Sequence, residues 1–136
     1  AIDYLLKSWQ KKLSFLSVRL KYIDAYEIGE TNKLKFINDN MRLSLQNDFR
    51  PNDEVINLNL NQTFKLNQNN FLEVVLASGV SPDNKPAIIW QSNVYFEGKM
   101  NQEQLLQWLD YAHEVASNHF KQFITKDFYD KFSQNK

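Results

Sequence analysis

The sequence predicts an α+β fold, with an antiparallel sheet of about four strands, an N-terminal helix and a long C-terminal helix packed on one face. Three observations lead to this prediction. Four segments alternate apolar and polar side chains, which is the pattern of half-buried strands. Short loops separate the last three of these segments, which favours antiparallel neighbours. Amphipathic segments with helical periodicity flank the strands, so helices are available to cover one face of the sheet.

The first predicted element is an amphipathic helix over residues 2–14. Its apolar residues recur at helical spacing: Ile2, Leu5, Leu6, Trp9 and Leu13. The lysines of this segment fall outside that stripe, so the stripe is expected to pack and the basic face to contact water.

The strands are predicted where residues of one parity are apolar. In residues 16–28 these residues are Val18, Leu20, Tyr22, Tyr26 and Ile28. Residues 55–66 show the clearest alternation, and further strands are predicted over 71–80 and 87–98. One face of the last strand carries Ile88, Trp90, Val94 and Phe96. Between the first two strands, residues 33–45 are predicted to form a short helix.

The long C-terminal helix is predicted to begin after Asn101. Asn101 can cap it, and Gln104 stands where a capping box places Glu or Gln. Its apolar stripe comprises Leu105, Leu109, Ala112, His113, Ala116, Phe120, Phe123 and Ile124. Thr125 is predicted to cap a final short helix. Because no linker or repeat is visible, residues 1–136 are interpreted as one α+β domain, and the missing initial Met predicts that it is cut from a longer protein.

Composition excludes several classes of protein. Apolar residues make up 43% of the 136 residues, enough for a core. The 16 basic and 16 acidic residues give zero net charge, which argues against nucleic acid or an anionic membrane as a partner. There is no cysteine, so disulfides and thiol chemistry are excluded. No apolar run approaches the length of a membrane span, and we expect a cytoplasmic protein.

Both histidines lie in the stretch HEVASNH, which begins like a zinc-protease helix motif. That motif places its ligands four residues apart, on nearly the same face of a helix. Here His113 and His119 are six residues apart, which separates them by about 120° around a helix. They cannot chelate one ion from an intact helix, and no third ligand is evident. The sequence therefore predicts no metal site and no cofactor, and His113 is interpreted as a packed residue of the apolar stripe.

One face of the sheet is predicted to be polar. It carries basic residues that, together with aromatic residues of another strand, resemble surfaces that bind single-stranded nucleic acid: Arg19, Lys21 and Lys65, with Trp90, Tyr95 and Phe96. Glutamates on the same strands oppose this reading, as does the zero net charge. The favoured interpretation is a mixed face that contacts water or another domain. The row of asparagines in NLNLNQT fits either an exposed strand face or hydrogen bonds to a second chain.

Two segments resemble a sporadically distributed family of uncharacterised prokaryotic proteins. The strand FLSVRLKYIDAYEI is similar to a family strand that reads Arg-Leu-Gly-Leu-Arg-Tyr-Ile-Asn, with matches at Val18, Leu20, Tyr22 and Ile23. Lys21 replaces the second Arg and Asp24 the Asn, while Ser17 and Arg19 replace the first Arg and the Gly. The last segment is similar to the closing helix of the family, with matches at His113, Phe120, Ile124 and Thr125. The resemblance implies a C-terminal half of a longer protein and brings no catalytic residues.

Two functions fit these observations. The leading hypothesis is a non-catalytic interaction or assembly module, with its own N-terminal domain, a second copy or another protein as the partner. Zero net charge, the absence of a catalytic motif and the polar strand faces motivate it. The alternative is a small-ligand-binding or enzymatic domain with a pocket between the sheet and the C-terminal helix. That pocket is predicted to be lined by Tyr22, Trp90, Trp108 and His113.

Overall fold

The computed structural model describes residues 14–134, with side chains described for residues 17–131. The elements in chain order are β1 (Ser14–Glu27), α1 (Lys33–Asn40), β2 (Asn59–Asn67), β3 (Asn70–Val80), β4 (Pro86–Asn101), α2 (Gln102–Phe123) and α3 (Lys126–Gln134). The helix predicted over residues 2–14 lies outside the described residues, apart from Ser14, which begins β1.

The four strands form one antiparallel sheet in the order β1-β4-β3-β2. The long helix α2 packs across one face of this sheet, so the predicted α+β class and sheet are confirmed. Cross-strand partners share parity: Val94 is the partner of Leu20 on one side and of Leu72 on the other. The even-numbered residues of the four strands therefore lie on the same face, except beyond the register shifts at the start of β1 and the end of β2.

The face covered by the helix holds the core. Ile88 and Val94 are fully buried there, and Trp90 is nearly so. The core continues into the helices through Leu105, Trp108, Ala112 and Ala116 of α2. Alternation predicted this face from the sequence because each apolar side chain of a strand points to the same side as the residue two positions away.

The opposite face carries a polar network around Glu73. Its carboxylate lies 3.6 Å from the Arg19 guanidinium and accepts hydrogen bonds from Asn93 (2.8 Å) and Asn61 (3.2 Å). Arg19 also stacks over the Tyr95 ring, with 4.8 Å to its centroid. Trp90 and Phe96, which the sequence grouped with these residues as a nucleic-acid surface, point to the helix-covered face instead, because they have the opposite parity.

Both helix caps that the sequence predicts are present. The Asn101 side chain accepts from the Gln104 backbone N–H (2.8 Å), and the Gln104 side chain accepts from the Asn101 N–H (2.9 Å). Thr125 Oγ1 accepts from the Phe128 N–H (3.3 Å) at the start of α3. These bonds satisfy backbone donors that a helix leaves free in its first turn.

The short helix α1 ends five residues earlier than the sequence predicted. At Met41 the chain becomes extended and forms a bridge with Ile124, just after α2. The Thr125 N–H donates to the Asn40 carbonyl at 2.8 Å. Pairing with a distant segment therefore overrides the helical pattern of residues 41–45. Likewise β2 begins at Asn59, later than the predicted residue 55.

Among residues 14–134, no helix combines the length and apolar character that a membrane crossing requires.

Candidate functional site

A cavity of about 300 Å³ lies between α2 and the part of the sheet formed by the edge strand β1 and its neighbour β4. The sheet contributes Tyr22, Asp24, Trp90 and Ser92, and the helix contributes His113, Ala116, Ser117 and Phe120. The cavity thus joins three elements that are distant in sequence.

Strand register and helical periodicity place these side chains. Tyr22 is the cross-strand partner of Ser92, and Asp24 is the partner of Trp90, so the four form a compact group on the helix-covered face. On α2 the lining residues begin at His113 and recur at three- and four-residue spacing, which keeps them on one side of the helix.

A hydrogen bond between Tyr22 and His113 joins the strand to the helix beside the cavity. The Tyr22 hydroxyl contacts Nδ1 of His113, and the two ring centroids lie 5.9 Å apart. The donor depends on the imidazole tautomer: Tyr22 donates when Nδ1 carries no hydrogen, and His113 donates when it does. In either case this contact orients both rings.

The inner wall of the cavity is aromatic. Trp90 is only 3% exposed and stacks on Phe120, with centroids 5.0 Å apart and an interplanar angle of 11°. Among the described residues, the buried Nε1 of Trp90 has no hydrogen-bond partner. The wall therefore combines the apolar surface of two aromatic rings with the indole N–H of Trp90, which has no acceptor among the described residues.

Three of the four residues predicted to line a pocket lie together here: Tyr22, Trp90 and His113. Trp108 does not line this cavity. It is buried elsewhere under the sheet, where its Nε1 donates to Asn70 Oδ1 at 2.8 Å. The reason is periodicity, because five residues separate Trp108 from His113 and turn it by about 140° around the helix.

The sequence prediction did not include three polar lining residues, although each carries a signal. Asp24 follows Tyr22 at strand spacing, so it shares the face of Tyr22. Ser92 interrupts an otherwise apolar face of β4, and Ser117 follows His113 by one helical turn. A polar residue at an inward position is informative because burial without a partner is costly.

The two histidines have different surroundings. His113 is exposed, so its interpretation as a packed residue of the apolar stripe is wrong; the buried stripe runs through Trp108, Ala112 and Ala116 instead. His119 is half-buried against Trp90 (5.9 Å between centroids), and its buried Nε2 has no hydrogen-bond partner among the described residues. Burial lowers the pKa of His119 below its usual value, because a low-polarity environment disfavours the imidazolium.

His119 lines a second cavity of about 360 Å³, which shares no lining residue with the first. Its other lining residues are Arg42, Phe64, Leu66, Leu72, Gln122 and Phe123. Four of these seven lining residues are apolar, and Arg42, Gln122 and His119 carry the polar groups.

Within residues 14–134, no group of three or more His, Cys, Asp or Glu side chains is arranged to hold a metal ion. No family model, curated protein or solved structure matches the chain. The resemblance to the prokaryotic family therefore stays a prediction.

Proposed function

We propose that this domain binds a small organic ligand in the cavity lined by Tyr22 and His113. This was the alternative that the sequence left open beside assembly. The observation that carries the proposal is the Tyr22–His113 contact at the cavity, because it orients two hydrogen-bonding rings at one opening between sheet and helix. A volume of about 300 Å³ lies at the lower end of the range for small-ligand sites.

The chemistry of the lining supports the same proposal. Trp90, Phe120 and Ala116 offer apolar surface, which contributes most of the affinity for a small ligand. A few polar groups are interspersed with them, and these fix the orientation of a ligand. Tyr22 and His113 act in this proposal as binding groups.

The test compares ligand binding by the protein and by a variant whose cavity is filled. Ser117 lines the cavity and is exposed, so Ser117→Trp fills the space without burying a new side chain in the core. Asn118→Trp adds the same side chain at the next exposed position of α2, outside the lining, and is the matched control. Binding of a chemically diverse fragment panel is measured by ligand-observed NMR.

We expect fragments that bind the wild-type protein to bind the Asn118→Trp variant equally well and to lose binding to Ser117→Trp. Equal binding to all three proteins would place the fragments elsewhere and contradict the proposal, as would a panel without any binder.

A second candidate function is assembly with a second copy of this chain through the edge strand β2. In the described part of the chain, β2 pairs only with β3, so its other edge is open to another strand. Phe64 and Leu66 of this strand remain 44% and 36% exposed. The strand carries one charged residue, Lys65, and no proline, so it lacks the usual protection against edge pairing.

The β2 sequence is compatible with antiparallel pairing to itself about Thr63. In that register, Leu60 faces Leu66 of the second copy and Gln62 faces Phe64 of the second copy, so the exposed Leu66 pairs with an apolar side chain. The Leu58 carbonyl accepts from the Ser78 N–H at 2.8 Å. Because the direction of these bonds alternates along a strand, Thr63 presents its N–H to the open edge.

Sedimentation velocity over a range of concentrations up to about 1 mM tests this second candidate. We expect the wild-type protein and Thr63→Val to dimerise and Thr63→Pro to stay monomeric, because proline removes the outward donor. A wild-type protein that is monomeric throughout this range would contradict assembly through β2.

A further inference from the structure

We propose that the ligand of the Tyr22–His113 cavity is an organic ammonium compound, whose positive charge pairs with Asp24 while its apolar part lies against Phe120 and Trp90. This inference rests on the proposed ligand-binding function and names the class of ligand. Three observations support it. The Asp24 carboxylate has no cationic partner among the described residues, it lies on the helix-covered face of the sheet, and the rings of Trp90 and Phe120 line the same cavity.

Among the described residues that line this cavity, Asp24 is the only carboxylate, and none is a lysine or an arginine. Among the described residues, the Asp24 side chain has no ion pair and no hydrogen bond. The nearby imidazole of His113 is engaged with Tyr22 rather than with Asp24. Asp24 is exposed and lines the cavity, so its carboxylate is accessible to a cationic group of a ligand bound there.

The basic residues of β1 cannot supply that cation, because they lie on the other face of the sheet. Arg19 and Lys21 have the opposite parity to Asp24. Arg19 pairs with Glu73 at 3.6 Å, and Lys21 is the cross-strand partner of Asn93. Within β1, Asp24 therefore lies on the cavity side, whereas Arg19 and Lys21 lie on the outer side.

The charge of Asp24 acts on the helix-covered side. Burial, and after it the negative charge of Asp24, raises the pKa of the Tyr26 hydroxyl, which lies two residues further along the same face. The field that disfavours a tyrosinate there favours a cation in the adjoining cavity.

A metal ion does not fit this site. Asp24 and His113 are the two lining side chains of the kinds that most often bind metal ions. A Zn²⁺ site needs at least three protein ligands, and a Ca²⁺ site needs about six oxygen ligands. An organic ammonium group needs fewer partners, because it donates up to three hydrogen bonds, and the Ser92, Ser117 and Tyr22 hydroxyls can accept those that Asp24 does not. Aromatic rings next to an ammonium group add a favourable interaction with its charge.

Three probes of nearly equal size and different charge test the inference. They are 2-phenylethylammonium, the neutral 2-phenylethanol and the anionic 3-phenylpropionate, titrated into isotopically labelled protein and followed by NMR. We expect the ammonium compound to bind most tightly and to shift signals of residues that line the cavity. In Asp24→Asn its affinity should fall by about tenfold or more, as for a charge-assisted hydrogen bond, while that of the alcohol stays unchanged.

Asp110→Asn is the matched control, because Asp110 is an exposed carboxylate of α2 outside the lining. It should leave the affinity for the ammonium probe unchanged, which excludes a general effect of net charge. Equal melting temperatures of the three proteins would show that the exposed substitutions leave the fold intact.

The results separate this inference from the proposed function. Binding of the alcohol or the carboxylate in the cavity, with no advantage for the ammonium compound and no effect of Asp24→Asn, would overturn the ammonium inference and leave a ligand cavity. Failure of all three probes would also overturn it, and the fragment panel with Ser117→Trp then decides the cavity independently.

Discussion

Two regions of the interface between the sheet and α2, one around His113 and one around His119, place an imidazole in different surroundings. Around His113 the interface opens into a cavity, and the imidazole hydrogen-bonds to Tyr22. His119 is half-buried against Trp90 and Phe123 beside the second cavity, and its Nε2 has no partner among the described residues. The two histidines are six residues apart on α2, so their side chains point about 120° apart around the helix. His113 therefore forms a hydrogen bond with Tyr22, whereas His119 packs against aromatic rings.

Trp90 belongs to both regions, which is why its removal has the largest expected effect. It lines the first cavity and contacts His119 and Phe120 on the inner side. We expect Trp90→Ala to lower the free energy of unfolding by about 3–5 kcal/mol, as for other large buried aromatics. Urea denaturation measures this loss.

Trp90→Phe sharpens the comparison, because it keeps an aromatic ring and removes an indole N–H that has no partner among the described residues. It should cost clearly less than Trp90→Ala. Equal losses in the two variants would show that stacking on Phe120 does not stabilise this wall.

The His119 region should make stability depend on pH. Burial lowers the pKa of His119 in the folded protein below the ordinary value of 6.5. On acidification the unfolded chain takes up this proton first, so the His119 contribution to stability is complete above pH 6.5 and is lost as the pH falls towards the folded-state pKa. Urea denaturation at a series of pH values between about 5 and about 8 measures this loss.

His119→Phe should remove this part of the pH dependence, and His113→Phe should leave it in place. If the stability of His119→Phe declines below pH 6.5 as steeply as that of the wild-type protein, the two histidine regions do not differ as described.

The Tyr22–His113 hydrogen bond is expected to have the smallest effect on stability. Both side chains are exposed, so Tyr22→Phe should lower the free energy of unfolding by about 0.5 kcal/mol, the low end for a single hydrogen bond. In a His113→Phe background the same substitution should have no effect, because its partner is already absent. A full double-mutant cycle by urea denaturation measures this coupling; additive losses would mean that the contact contributes no stability in solution.

Local patterns predicted the elements well because they depend on near neighbours in the chain. Strand alternation identified the buried face that carries Ile88 and Val94, and the side chains of Asn101 and Gln104 identified the start of α2. A prediction was wrong where pairing with a distant segment overrides the local helical pattern. Residues 41–45 have a helical pattern, yet Met41 is extended because it pairs with Ile124.

For the candidate site, the sequence located three residues and misplaced one. Tyr22, Trp90 and His113 were selected as polar or aromatic residues on faces expected to meet, and they do line one cavity. Trp108 satisfied the same criterion, but its position around α2 directs it to Asn70. The prediction did not include Asp24, although its spacing puts it on the face of Tyr22; the register of β1 on β4 then places it beside Trp90.

By itself the sequence determined the α+β class, the apolar face of each strand and the capping of α2, because periodicity and capping act over a few neighbouring residues. Only the tertiary structure decided which residues of α2 line each cavity and which histidine is half-buried. Those outcomes depend on the strand order β1-β4-β3-β2 and on the rotation of the helix above it. Contacts between residues as far apart as Tyr22 and His113 fix both, and no local pattern encodes them.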